Sequence, residues 1–226
     1  MTMNNKPLNA SPFRYKTVFC NNEFEEILAG IIACYYCIVE EKILLPSNDE
    51  NEIRNVMLSN YLKNAKFKTE HPPLGNYLFD KETVENNGRA DIRILSMKPY
   101  VDDYSYYIIE CKRLDNKNQT GKSGLNGEYV YEGIVRFLSK TYPFYRETAG
   151  MIGFVVVKMD IEQNNNAINQ ILQTFPESKT QQELMKKQIL PGFDYSYYSS
   201  HLVEREIKYI YHLMLDFSEN VERSGL

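Results

Sequence analysis

From Arg89 to Leu95 the chain alternates, with Ala90, Ile92 and Ile94 on one side and Arg89, Asp91 and Arg93 on the other. A period of two is that of a half-buried β-strand. A second run, Tyr106 to Lys112, places Tyr106, Ile108, Glu110 and Lys112 on one face and Tyr107, Ile109 and Cys111 on the other. Between them, Lys98-Pro99-Tyr100-Val101-Asp102-Asp103 has the proline and paired aspartates that suit a hairpin loop joining antiparallel strands. Elsewhere the period lengthens. From Asn22, a candidate cap, Phe24, Ile27, Leu28, Ile31 and Ile32 recur with helical spacing. After a break at Pro46-Ser47-Asn48-Asp49, Ile53, Val56, Met57 and Tyr61 form the stripe of a second helix. Glu128 to Tyr142 predicts a third, with Val130, Ile134, Phe137 and Leu138 on one face and Glu132 and Arg136 one turn apart on another.

The apolar run Gly150 to Val157 suits a central strand covered on both faces. Gln163 to Gln188, rich in Gln and Asn, predicts one or two exposed helices, a polar helical insertion over about 163–190. From Ile207 to Phe217 odd positions carry Ile, Tyr, Tyr, Leu, Leu and Phe, which predicts a long strand extending the sheet, with a helix as the alternative. Residues 1–17 are polar and irregular and read as an N-terminal arm, followed by one domain over 18–226. The fold class expected is α/β: a central mixed sheet flanked by helices, with a C-terminal strand extension.

A chain of 226 residues can bury a substantial core as one domain. Its net charge of −4 supplies no global field for nucleic acid, so any such grip must be local. From Lys112 to Glu147 seven basic side chains stand against four acidic ones, a modest basic rim. Within it, Asp115 to Gly127 reads as a mobile loop placed to close over substrate. Its Gly121-Lys122-Ser123 lacks a phosphate loop's earlier glycine, Asn116 standing there, and the strand immediately before it. The polar N-terminus and the lack of any apolar run near ~20 residues predict neither a signal peptide nor a membrane span, hence the cytoplasm. Cys34 and Cys37 form a CxxC inside the apolar stretch Ile31 to Val39, without a second pair or a histidine at zinc spacing, and read as buried thiols. Tyr195, Tyr197 and Tyr198 have the chemistry to stack bases, but 18 tyrosines in the chain favour a structural role. His201 and His212, with no ligand partner at a recognisable spacing, read as structural too.

Chemistry concentrates at Asp91, Glu110 and Lys112. If Met97 pairs with Tyr104, Asp91 falls opposite Glu110, with Cβ atoms roughly 4.5–5.5 Å apart, close enough for two carboxylates to share a divalent cation. Unbalanced by a cation or Lys112, the pair would repel and one pKa would rise. Mg²⁺ suits such a site, being a hard ion that takes oxygen ligands and keeps several waters. It would orient and acidify a water, with Lys112 helping to deprotonate that water or stabilising developing charge. The bland reading, a solvated strand face, has an exposed ion pair of little worth. Against it, Tyr-Tyr-Ile-Ile looks like an interior strand, where a Glu and a Lys need a reason to be present.

The pattern Asp91…Glu110-x-Lys112 resembles the PD-(D/E)XK, or restriction-endonuclease-like, nuclease superfamily. The resemblance covers about Glu50 to Val157, roughly half the chain, and departs from the signature at Ala90, where the family has proline. It implies a core of helix, three antiparallel strands, helix and a further strand, with the acids on the second and third strands. It also implies a glutamate from the preceding helix, for which Glu52 in Glu50-Asn51-Glu52-Ile53-Arg54 is the candidate and Glu50 a rival. The activity implied is phosphodiester hydrolysis, in DNA more than RNA, in restriction, phage defence or repair, with Mg²⁺ or Mn²⁺ as its substitute. Asp91, Glu110 and Glu52 would be the metal ligands and Lys112 the catalytic lysine, while Arg89, Arg113, Lys122 and Arg136 are candidates for the phosphate backbone. Cutting both strands of a duplex would call for a homodimer or larger complex. The alternative is a catalytically silent nuclease-fold protein serving as a nucleic-acid- or protein-binding subunit.

Overall fold

A computed structural model describes residues 16–85, 88–97, 106–139, 141–145 and 147–221, with backbone alone at 16–21 and 85. Its centre is a seven-stranded mixed sheet in the order β1-β2-β3-β4-β7-β6-β5. The strands are β1 (Tyr77–Glu85), β2 (Gly88–Ser96), β3 (Tyr106–Leu114), β4 (Thr148–Val155), β5 (Thr180–Lys186), β6 (Ser196–Val203) and β7 (Glu206–Asp216). β1, β2 and β3 are antiparallel neighbours, β4 runs parallel to both β3 and β7, and β7, β6 and β5 are again antiparallel. The fold is therefore α/β, with helices on both faces of the sheet.

On one face lie α1 (Lys16–Glu40), α2 (Glu50–Met57), which continues through a π turn (Leu58–Leu62), and α3 (Ala65–Glu70). Phe24, Ile27 and Ile31 of α1 share a buried cluster with Ile92, Ile109, Ile152 and Leu213 of the strands. The other face is covered by α4 (Leu125–Glu128), a π turn (Tyr129–Ile134), α5 (Val135–Leu138) and α6 (Ile161–Gln173). There Tyr129, Ile134, Phe137 and Ile168 pack on Ile108, Met151 and Met214. Every residue of β4 is buried, as a strand flanked by parallel neighbours and covered twice requires. Burying such apolar surface stabilises by roughly 25 cal/mol per Å².

The β2–β3 register is the expected one. Ile92 faces Ile109 and Leu95 faces Tyr106, and one step beyond the last bonded pair Asp91 stands across from Glu110. The hairpin loop expected at 98–103 lies outside the described residues, as does nearly all of the expected arm at 1–17. Four elements differ from expectation. Helix α1 begins at Lys16 instead of at Asn22, no glycine or proline interrupting that stretch. β1 was hidden because Asp80, Lys81 and Glu82 break its alternation, which an edge strand tolerates. The polar segment after β4 is helical only to Gln173 and then forms edge strand β5, in which Leu184 alone is buried. Asn169 of α6 bonds both backbone groups of Leu184, its Oδ1 accepting from the N–H (2.9 Å) and its Nδ2 donating to the carbonyl (3.2 Å). Finally β7 is a strand, but it lies inside the sheet between β4 and β6.

Tyrosine hydroxyls fasten acidic side chains of α1 to the sheet. Tyr77 and Tyr107 donate to Glu23 (3.1 and 3.2 Å) and Tyr211 donates to Glu25 (2.8 Å). Tyr197 is buried and donates to Glu162, which removes it from any base-stacking platform. The segment expected as a mobile loop is fastened: Asn126 Nδ2 donates to Gln119 O and to Asn164 Oδ1, both at 2.8 Å. Cys34 is buried in α1 and Cys37 half-buried. Among the described residues no helix is long and apolar enough to cross a membrane.

Candidate active site

Where the bonded pairs of β2 and β3 stop, the Asp91 side chain crosses the gap, its Oδ2 accepting the Cys111 N–H at 2.8 Å. The two strands part there, at the margin of a cleft of about 290 Å³. Asp91, Glu110 and Lys112 line it, with Glu50 from the start of α2, Arg89 from β2 and Arg136 from α5. Two glycines permit the approach of the elements around it. A Cβ at Gly133 would stand 2.4 Å from Met151 Cε, and one at Gly88 would stand 2.6 Å from Thr141 Cγ2 and 2.9 Å from the Tyr142 ring.

Glu110 is fully buried. Its Oε1 accepts from Lys112 Nζ (3.0 Å) and from the Arg136 guanidinium (2.7 Å), whereas Oε2 has no hydrogen-bond partner among the described residues. Burial first, and then the Asp91 charge, push its pKa up to about 7, outweighing Lys112 and Arg136. For Lys112 burial works against the charged form, but Glu110, Glu50 and Asp91 more than offset it and push the pKa up to about 12. Lys112 is thus an ammonium at neutral pH, suited to stabilise anionic charge and unsuited to take a proton.

Asp91 is held from both sides, since its Oδ1 also accepts from Arg54 at 2.6 Å. Arg54 is buried and reaches Glu82 of β1 at 2.8 Å with its other terminal nitrogen. Glu50, the first residue of α2 behind the N-cap Asp49, presents Oε1 to Lys112 at 3.5 Å and accepts the Arg113 N–H at 3.3 Å through Oε2. Glu52 is exposed in the same first turn and lies outside the cleft, a position in which an acid complements the helix dipole. The helix therefore brings Glu50, not Glu52, to the acids.

Of the four basic candidates the cleft contains two. Arg136 bonds Glu110 more closely than its helical neighbour Glu132, which is 3.6 Å away, and donates to the Tyr142 hydroxyl, which in turn donates to the Arg89 carbonyl. Arg89 is exposed and sits 3.6 Å from Glu82. Arg113 meets the site through its backbone only, and Lys122 lies over the Tyr131 ring. Arg54, Glu82 and Tyr142 are the members that sequence reasoning missed. Arg54 borders the apolar stripe of α2, and a cation beside a stripe is the one signal that could have marked it.

The donor chemistry suits a hard divalent ion: Glu50, Asp91 and Glu110 line one cleft, and one carboxylate oxygen there is buried and unpartnered. Among the described residues no group of three or more His, Cys, Asp or Glu is placed to hold a metal ion; Arg54 bonds Asp91 Oδ1, Lys112 and Arg136 bond Glu110 Oε1, and the Cys111 and Arg113 N–H groups bond Asp91 Oδ2 and Glu50 Oε2. A larger hollow of about 590 Å³ beside α6 and β5 shares none of these residues and holds no comparable set of charges. No protein-family model matches the chain, and no curated protein or solved structure matches it.

Proposed function

We propose that this chain is a Mg²⁺-dependent nuclease of the PD-(D/E)XK, restriction-endonuclease-like kind, hydrolysing phosphodiester bonds in DNA. The observation that carries the proposal is the buried, unpartnered Oε2 of Glu110, across the strands from Asp91 and two residues from Lys112. Lys112 and Arg136 already pair Oε1, and burial raises the Glu110 pKa to about 7, so a cation at the free Oε2 would add a ligand bond there and hold the buried group ionised. The order of elements supports the reading: a helix carrying Glu50, three antiparallel strands with Asp91 on the second and Glu110 on the third, a helix, then β4. The preference for DNA, a role in restriction, phage defence or repair, and a homodimer or larger complex rest on the family resemblance; cytoplasmic residence is proposed from the lack of any apolar run near ~20 residues.

Glu110 Oε2, Asp91 and Glu50 would hold Mg²⁺, or Mn²⁺ in its place. When bound, the ion supplies Lewis-acid stabilisation and an acidified water. The Lys112 ammonium is placed to stabilise charge developing on the phosphate. Arg136 and Arg89, the two cations on the open side, are placed to hold phosphates of the backbone. Arg54 and Lys112 remain inside to retain the carboxylates those rim arginines would leave.

A second reading is favoured by one observation, the occupation of Asp91 and of Glu110 Oε1 by basic side chains and a backbone N–H. A silent nuclease-fold subunit that binds nucleic acid or protein would have such a site. Incubation with supercoiled plasmid and single-stranded DNA in Mg²⁺ or Mn²⁺ separates the two. Cleavage by the wild type that disappears in Glu110→Ala and Lys112→Ala supports the enzyme. Equal behaviour of all three proteins refutes it, and binding without cutting favours the subunit.

A further inference from the structure

We propose that Arg54, braced by Glu82, is a positioning residue that fixes where the Asp91 carboxylate points. The proposal rests on the metal-site reading for its purpose, although the positioning itself is a property of the metal-free fold. Arg54 is 1% exposed, on α2, and its two terminal nitrogens serve different strands: one donates to Asp91 Oδ1 on β2 at 2.6 Å, the other to Glu82 Oε1 on β1 at 2.8 Å. Its Nε has no acceptor among the described residues, so the planar fork is oriented by its two ends. Asp91 Oδ2 is taken by the Cys111 N–H. The carboxylate is therefore stretched between a helix and β3, one oxygen to each, and cannot turn without losing a charge-assisted bond.

Glu82, the other end of the brace, sits in a costly backbone conformation. Its φ is +52°, a left-handed conformation that favours glycine, in the middle of an edge strand and beside the Asp91 position. The turn brings its carboxylate between Arg54 and Arg89, and hydrogen bonding from Arg54, then the Arg89 charge, holds it below the usual carboxylate range. Arg89 is on the open side of the cleft, so Glu82 would remain paired with Arg54 after Arg89 turned to a phosphate. A lysine at position 54 would keep the charge but offer one nitrogen where two diverging ones are used.

The Cys111 amide, which donates to Asp91, reports the position of that carboxylate without any metal. Amide hydrogen exchange is measured in wild type, Arg54→Lys and Glu82→Gln, alongside Mn²⁺ affinity by calorimetry; Glu82→Gln, half-exposed at the sheet edge, serves if the buried substitution prevents folding. The proposal expects Cys111 exchange to accelerate about tenfold in Arg54→Lys, the loss of one hydrogen bond, while Ile109 in the bonded ladder keeps its rate. Mn²⁺ affinity should fall roughly 10–100-fold with it, the usual effect of removing a group that orients a ligand. Glu82→Gln should give a smaller change in the same direction. An unchanged Cys111 amide in both variants overturns the positioning role. Accelerated exchange in a protein whose wild type binds no Mn²⁺ supports the positioning role and refutes the metal reading instead.

Discussion

Two buried histidines make the fold acid-labile in a way that can be worked from their partners. His201 Nδ1 lies 2.9 Å from the Ser178 carbonyl, which only accepts, so this nitrogen carries the proton. Its Nε2 then accepts from Ser199 Oγ (2.9 Å), Ser199 accepts from His212 Nε2 (2.9 Å), and His212 Nδ1 accepts from the Tyr129 hydroxyl (2.8 Å). Each hydrogen has one place, and a further proton on either ring would face a donor. Burial accordingly lowers the His201 pKa from 6.5 to about 4, and burial followed by the His201 charge lowers that of His212 well below its ordinary value. A depressed histidine stabilises fully above pH 6.5, where both folded and unfolded rings are neutral. That stability is lost as pH falls from 6.5 towards 4, because the unfolded ring binds the proton first. At ~1.4 kcal/mol per unit, His201 alone accounts for about 3 kcal/mol. Urea midpoints of wild type and His201→Asn, measured from pH 7.5 down to 4.5, isolate this share. Asparagine can still donate to Ser178 but does not titrate, so the variant should start less stable and lose less on acidification. Parallel pH profiles for the two proteins would refute the proton assignment.

The Glu110→Gln variant should unfold at higher urea than wild type at pH 8 without metal, since it removes a buried charge that the fold disfavours, and should lose cleavage; lower stability at pH 8 would contradict this. Glu50→Gln should lower Mg²⁺-dependent cleavage at least ~10-fold, whereas Glu52→Gln leaves it within about twofold; kinetics with equal effects would undo the assignment of the helix acid. Gly133→Val should destabilise by about 1–3 kcal/mol in denaturant titration, because its branched side chain must displace the end of the buried Met151 side chain from a packed core; a neutral outcome would show that Met151 repacks freely.

The parity was legible from Ile92 and Ile94 on β2 and from Glu110 and Lys112 on β3, because a period of two fixes which residues share a side; β3 is in fact buried on both faces, and Ala90 packs with Ile108 on the face opposite Ile92 and Ile94. That is why Asp91, Glu110 and Lys112 could be brought together from the sequence, and why β4, apolar throughout, read as central. Glu50 and Glu52 could not be separated in this way. They lie two residues, about 200° of helix, apart, and which one faces the sheet depends on how α2 docks, a tertiary matter. Glu82 and Arg54 were illegible for related reasons: one sits in an edge strand whose charges erase alternation, the other beside an apolar stripe that shows no partner. β5 was misread because a polar strand with one buried residue has the composition of an exposed helix.

Metal binding at Glu110 Oε2 is the proposal that everything about cleavage depends on. Anomalous diffraction from a crystal soaked in Mn²⁺ tests it directly. One Mn²⁺ peak is expected about 2 Å from Glu110 Oε2 and within coordination reach of Asp91, with Arg136 turned away from Glu110. Density showing Glu110 still paired to Lys112 and Arg136, with no anomalous peak in the cleft at saturating Mn²⁺, would contradict it.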